Sequence, residues 1–120
     1  MIKEKAIVYV HTDYWGALAA NDLRAQEQHC LAYAEANGLK VAKVFRNESW
    51  KRRKGGLMTT LLRYVKDSAE KIDWVIIDHP CNLDSTKKLL IHKIATFRAV
   101  GLKIAFVALQ TKNKNHEKNN

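Results

Sequence analysis

Ala-Ile-Val-Tyr-Val at residues 6–10 is a short apolar run rich in β-branched side chains, which predicts a buried β-strand. The hydrophobic period then changes. Residues 21–37 place their apolar side chains on one helical face, with Asn21 or Asp22 as the expected N-cap and Asn37-Gly38 as the stop signal. A buried strand followed directly by an amphipathic helix predicts a chain of the α/β class.

The same alternation continues along the chain. Further strands are predicted over residues 39–45, 74–77 and 103–109, and further helices over 57–72 and from Leu83 to Phe97, closed by Gly101. Residues 46–55 are polar and basic and predict a loop. We therefore expect one domain over residues 1–110, with a three-layer, mostly parallel sheet and helices on both faces. Residues 111–120 contain no large apolar side chain and predict a flexible, basic and polar tail.

Composition narrows the class of protein. The chain has 120 residues, of which 47% are hydrophobic, so most of it should fold. Its two cysteines provide neither a disulfide framework nor a four-ligand zinc site, and we expect no metal and no cofactor. The segment before His11 is too short for a signal peptide or a membrane span. We therefore expect a soluble, cytoplasmic protein with reduced thiols.

Charge points to a polyanionic partner. Lys and Arg number 21 against 12 Asp and Glu, which gives a formal net charge of +9. Nucleic acid is the first expectation, and an acidic membrane surface is the second. The run Lys51-Arg52-Arg53-Lys54 follows Trp50, and cations beside an aromatic ring suit a nucleic-acid backbone with a stacked base or sugar. The alternative is an exposed loop that is basic without a role.

Ligands of parallel sheets bind at the carboxyl ends of the strands, so the segments that follow the strands are the candidate sites. The segment His11-Thr12-Asp13-Tyr14-Trp15-Gly16 has one glycine and lacks both the dinucleotide fingerprint and the phosphate loop of nucleoside triphosphatases. A hydroxyl beside an imidazole and a carboxylate is a pattern of nucleophilic catalysis. The alternative is that Thr12 and Asp13 only turn the chain.

The segment Asp78-His79-Pro80-Cys81-Asn82 joins an acid, an imidazole and a thiol. It could provide a cysteine nucleophile or part of a metal site, although no distant ligand can be assigned. The simpler interpretation is a strand-to-helix turn shaped by Pro80, with Asp84 or Ser85 as the cap. Elsewhere Cys30 is expected in the core, and His29 and His92 on helix surfaces.

One helix carries a recognisable motif. Leu23-Arg24-Ala25-Gln26, followed by Cys30, Tyr33 and Ala34, resembles the pattern L-x-A-Q-x-x-x-C-x-x-Y-A in the N-terminal catalytic domain of serine recombinases, the resolvase/invertase family. Tyr9-Val10-His11 is similar to the family's Y-x-R strand end. The resemblance covers roughly residues 5–110 and implies a sheet with strand order 2-1-3-4.

In that family a serine hydroxyl attacks a DNA phosphodiester, and arginines hold the phosphate, since a guanidinium binds it bidentately and stays protonated. The resemblance implies that His11 replaces one arginine and that the serine falls on Asp13, or on Thr12 if the gap is placed differently. Lys54 stands for another arginine. In place of the family's D-R-L-S-R motif the acid is kept as Asp78, while His79 and Asn82 replace both arginines. Loss of several phosphate ligands implies an inactive relative, because even one lost donor costs about a hundredfold in rate.

Three functions are compared. The first is an inactive resolvase-like accessory factor that binds the DNA backbone without sequence preference, mainly through Lys51, Arg52, Arg53 and Lys54. The second is a weakly active DNA-cleaving recombinase that uses Thr12 with Lys54, Arg52 or Arg53 as its phosphate clamp. The third is a protein-interaction module without nucleic acid. A recombinase or other protein partner and a homodimer stay open.

Overall fold

The computed structural model describes residues 3–48 and 56–110. Within these ranges strands and helices largely alternate, as predicted: β1 (Lys5–Thr12), α1 (Gly16–Ala36), β2 (Lys40–Glu48), α2 (Gly56–Asp67), β3 (Trp74–Ile77), α3 (Pro80–Leu83), α4 (Lys87–Ala99) and β4 (Lys103–Phe106). The predicted tail and the basic run at residues 51–54 lie outside the described residues.

The four strands form one sheet in the order β2-β1-β3-β4, and every neighbouring pair is parallel. β1 is a central strand: Tyr9 lies opposite Phe45 of β2 and Ile77 of β3. This confirms the α/β class and the 2-1-3-4 order. Because all strands run the same way, their carboxyl ends meet at a single edge of the sheet.

Side chains of β1 alternate between two hydrophobic cores. Val8 and Val10 point to one face, where they pack with Leu23 and Cys30 of α1. Ile7 and Tyr9 point to the other face and belong to a core of ten buried residues, which also includes Leu61 of α2 and Phe97 of α4. A sheet with α1 on one side and α2 and α4 on the other is the predicted three-layer arrangement.

The start of α1 differs from the sequence prediction. The helix begins at Gly16 with Trp15 in the N-cap position, six residues before the predicted cap Asn21 and seven before Asp22. Trp15 makes no side-chain capping hydrogen bond. The early turns are rich in alanine, which favours a helix without producing a hydrophobic period, so the pattern did not reveal them.

Other boundaries also moved. β2 extends through Arg46 to Glu48, where a loop was expected, because these residues pair with the end of β1. α2 ends at Asp67, before Ile72, and the predicted third helix is divided into α3 and α4 by an extended residue, Asp84. β4 ends at Phe106, and residues 107–110 are helical, so the predicted strand over 103–109 is too long.

Candidate functional site

The hydroxyl of Thr12 lies inside the protein. Thr12 is the last residue of β1 and is only 1% exposed. Its Oγ1 accepts a hydrogen bond from the backbone N of Tyr14 at 3.1 Å. This is the turn-forming role that was the alternative to catalysis, and burial keeps the hydroxyl away from the solvent, where a nucleophile would have to meet a phosphate.

His11 and Asp13 form a pair at the same strand end. Their side chains meet with 3.0 Å between Nε2 and Oδ1, and Asp13 is 82% exposed. Alternation along β1 places His11 on the face that Tyr9 occupies. The strand end therefore presents a carboxylate to solvent, oriented by an imidazole.

Gln26 fixes the backbone beneath this pair. Its side chain, 3% exposed, accepts from His11 N at 3.0 Å and donates to His11 O at 2.7 Å. The same amide nitrogen also donates to Asp22 Oδ1 at 3.1 Å. An amide can bond a backbone N–H and C=O together because it carries both a donor and an acceptor. Gln26 thus joins the end of β1 to α1.

A second imidazole–carboxylate pair follows β3. His29 Nδ1 lies 2.9 Å from Asp78 Oδ2, and the two residues are 49 positions apart in sequence. His29 is on the helix surface as predicted, but this contact was missed. The sequence did contain one signal for this contact. His29 follows Gln26 by about one helical turn, so it lies on the same side of α1, which faces the strand ends. The carboxylate of Asp78 is thereby directed to α1.

The segment after Asp78 forms a capped turn. Asn82 Oδ1 accepts from His79 N at 2.9 Å, while His79 Nδ1 accepts from Cys81 N at 3.1 Å. This reciprocal arrangement is a capping box, and Pro80 occupies the first turn of α3, where its missing N–H costs nothing. The interpretation of this segment as a turn shaped by Pro80 matches the structure.

The predicted cap of that turn is wrong. The residue in the cap position of α3 is His79, and α4 begins after Thr86 rather than after Asp84 or Ser85. Asp84 Oδ1 instead accepts from Thr86 N at 2.8 Å, and its carboxylate lies 3.0 Å from Lys93. These hydrogen bonds, with Thr86 foremost, lower the pKa of Asp84.

The phenol of Tyr9 is buried and accepts a hydrogen bond. Burial raises the pKa of Tyr9, a hydrogen bond from Asn47 opposes this, and the carboxylates of Asp84 and Asp13 raise it further. Asn47 Nδ2 donates to the phenol oxygen at 3.0 Å.

The two cysteines lie in different environments. Cys30 is fully buried against β3, with its Sγ 3.8 Å from Ile76 O, and burial raises the pKa of its thiol to about 12. A thiol of that pKa is protonated at neutral pH and is a poor nucleophile. Cys81 is exposed at the start of α3. Within residues 3–48 and 56–110, no three His, Cys, Asp or Glu side chains are grouped so that they could hold a metal.

The predicted site residues therefore separate into small groups. His11 pairs with Asp13, His79 pairs with Asn82, and Asp78 pairs with α1. Lys51, Arg52, Arg53 and Lys54 lie outside the described residues. Across the described ranges, no helix combines the length and the apolar character that crossing a lipid bilayer requires.

A parallel 2-1-3-4 sheet with helices on both faces is the arrangement of resolvase catalytic domains. A resolvase family site-specific recombinase from Streptococcus pneumoniae superposes with a TM-score of 0.74 at 12% identity, over 88% of this chain and 72% of that one. The C-terminal catalytic domain of ISC1926 TnpA, an IS607-like serine recombinase, gives a TM-score of 0.68 at 24% identity, over 86% of this chain and 67% of that one.

The N-terminal catalytic domain of TP901-1 integrase gives a TM-score of 0.68 at 15% identity, over 87% of this chain and 77% of that one. No protein-family model matches the chain, and no curated protein matches it. The likeness therefore rests on three-dimensional structure. The chain has the fold of a serine recombinase catalytic domain, as the motif in α1 implied.

Proposed function

We propose that this chain is a resolvase-like domain that has lost strand-cleaving chemistry and contacts the DNA backbone as an accessory or regulatory factor. The main support for this proposal is the His11–Asp13 pair at the end of β1. Where the resemblance implies a phosphate-attacking serine, Asp13 offers an exposed carboxylate 3.0 Å from His11. A carboxylate repels a phosphodiester and provides no hydroxyl for a covalent link to DNA.

Thr12 does not supply the missing nucleophile in this proposal. Its hydroxyl is buried and accepts from Tyr14 N, so attack on a phosphate would need the strand end to open. The resemblance aligns His79 and Asn82 with arginines. Asn82 Oδ1 accepts a hydrogen bond from His79 N, and His79 Nδ1 accepts one from Cys81 N. Transition-state charge on a phosphate would therefore meet no guanidinium from these positions.

DNA contact is supported by charge. The net charge is +9, and the basic run at residues 51–54 begins three positions after Glu48, the last residue of β2. Cations that replace counterions on phosphates give binding that weakens steeply with salt. The affinity that we expect is sequence-independent, because phosphate contacts carry no sequence information.

The binding test is a salt series with a short mixed-sequence duplex, followed by fluorescence anisotropy. We expect a log–log salt slope of several units that the combined change of Lys51, Arg52, Arg53 and Lys54 to Ala reduces. A matched control removes four exposed cations outside the basic run, namely Lys3, Lys40, Lys66 and Lys71. If both quadruple variants lower the slope equally, the basic run has no special role; if the native chain binds no DNA at low salt, the proposal fails.

The chemical part has a separate test. A nicked suicide substrate traps any covalent protein–DNA intermediate, which denaturing electrophoresis detects. We expect no adduct from the native chain. An adduct that disappears in Thr12→Ala would overturn the inactive assignment and support the recombinase alternative.

A protein-interaction module is the second candidate, favoured by two exposed aliphatic side chains on the lysine-rich first turns of α4. Leu89 is 50% exposed and Ile91 is 57% exposed, next to Lys87 and Lys88. This candidate would be supported by a partner that stays bound after nuclease treatment in high salt and is released by Leu89→Ser with Ile91→Ser. DNA binding that survives both changes would favour the first candidate.

A further inference from the structure

An aromatic patch lies at the carboxyl edge of the sheet, between β1 and α1. Tyr14 is 55% exposed, Trp15 is 76% exposed, and Leu18 in the first turn of α1 is 65% exposed. Isolated exposed apolar side chains are ordinary on protein surfaces. Three exposed apolar side chains within a single strand-to-helix turn, two of them aromatic, mark a candidate contact surface, here called the aromatic patch.

Both rings stand on a fixed backbone. Tyr14 N donates to the buried Thr12 hydroxyl, and Trp15 is the N-cap residue of α1 in an extended conformation. The preceding strand end is held by the two hydrogen bonds between Gln26 and His11. Within the described part of the chain, neither aromatic side chain makes a hydrogen bond or a ring contact. When the backbone that carries an exposed ring is already ordered, binding through that ring costs little conformational entropy.

We propose that Tyr14 and Trp15 form a stacking site for unpaired nucleobases, so that the domain prefers single-stranded or distorted DNA to intact duplex. This rests on the proposed function and specifies its substrate. Every base has a flat π-face, and an aromatic ring accepts it without regard to sequence. Bases inside a duplex are already stacked and do not offer that face.

Charge favours nucleic acid over a protein as the occupant. The chain carries +9, which suits a polyanion. Thr12, the last residue of β1, lies opposite Glu48, the last residue of β2. In the sequence, the patch follows β1 and the basic run follows β2. Asp13 is the anion closest in sequence and is 82% exposed, so a strand bound at the patch would direct its bases, and not its phosphates, to this turn.

The experiment compares a short oligothymidylate with a duplex of the same length, by anisotropy at one low salt concentration. We expect Trp15→Ala to weaken single-strand binding about tenfold to a hundredfold and Tyr14→Ala to weaken it less, with duplex binding changed by less than about twofold. Trp15→Phe should restore most of the single-strand affinity, because the benzene ring still stacks. Leu18→Ala tests apolar contact within the same patch and should weaken single-strand binding far less than Trp15→Ala, since leucine has no π-face. Leu31→Ala, at an exposed position further along α1, is the matched control and should change neither affinity.

Each outcome decides the matter. If duplex binding is intact and Trp15→Ala leaves the single-strand affinity unchanged, the stacking site is wrong while the proposed function stands. If Leu18→Ala and Trp15→Ala weaken single-strand binding equally, the patch acts by apolar contact and the stacking assignment is also wrong. If the native chain binds neither nucleic acid, the proposed function fails and the stacking site fails with it. Circular dichroism and thermal melting show that each variant keeps its fold.

Discussion

Gln26 is the side chain on which the end of β1 depends, and Gln26→Leu tests that dependence. The native amide makes hydrogen bonds of 3.0 Å and 2.7 Å to the two backbone polar groups of His11. Leucine has nearly the same length but offers neither a donor nor an acceptor. Both backbone groups would lose their side-chain partner in a site that water reaches only in part.

The expected loss of unfolding free energy follows from the backbone N–H and C=O of His11. A buried polar group left without its partner costs about 1–3 kcal/mol, so the pair predicts a loss of about 2–4 kcal/mol, with the apolar leucine offsetting a little of it. For a domain of this size, that corresponds to a fall of about 10 °C in the melting temperature. Urea titration followed by circular dichroism measures the loss of unfolding free energy, provided that the slope with urea stays constant.

Gln28→Leu provides the control on the same helix. Gln28 is exposed, so its replacement should change the free energy of unfolding by less than about 0.5 kcal/mol. Gln26→Glu tests the donor alone: at neutral pH a carboxylate would face the carbonyl of His11, and acidification should recover part of the stability because the protonated acid donates again. If Gln26→Leu costs no more than Gln28→Leu, the attachment of β1 to α1 through this amide is wrong.

Three further outcomes follow from burial and charge. Since burial raises the pKa of Cys30 from 9.0 to about 12, the unfolded chain loses this proton first, and the free energy of unfolding should fall as pH rises from about 9 to about 12. Urea titrations should show a shallower fall in Cys30→Ala. Hydrogen bonds from Thr86 and Lys93 lower the pKa of Asp84, so stability should be lost as pH falls below 3.8, and acid titration of Asp84→Asn should show a smaller loss. Phe97→Ala removes a fully buried ring and should cost about 3–5 kcal/mol in a urea titration, whereas a loss below about 1 kcal/mol would contradict its place in the core.

Local patterns predicted the class and the order of the elements. The buried strands at residues 6–10 and 74–77 were predictable because a fully covered strand needs continuous apolar residues. The beginning of α1 was not, since alanines between Gly16 and Ala20 leave no hydrophobic period and Trp15 is not a polar cap. The polar end of β2 was also missed, because an edge strand needs few buried side chains.

The site was harder to predict because its contacts cross the chain. The sequence identified His11, Asp13, Asp78 and His79 as candidates, from their place after predicted strands. It could not show that Asp78 pairs with His29, because that contact joins residues 49 positions apart. Neighbouring residues 11–13 suggested one catalytic group, yet successive side chains of a strand point to opposite faces, which separates the Thr12 hydroxyl from the imidazole.

The position of β1 has a consequence for the order of folding. β1 is earlier in the chain than any other described strand, yet it lies between β2 and β3. Its pairing with β2 closes a loop that contains only α1, whereas the contact of Lys5 with Asp73 spans 68 residues. Because closing a longer loop costs more entropy, we expect β1, α1 and β2 to associate first. Until β3 docks, the other edge of β1 stays open, and a chain interrupted before Trp74 would expose its most apolar strand to aggregation.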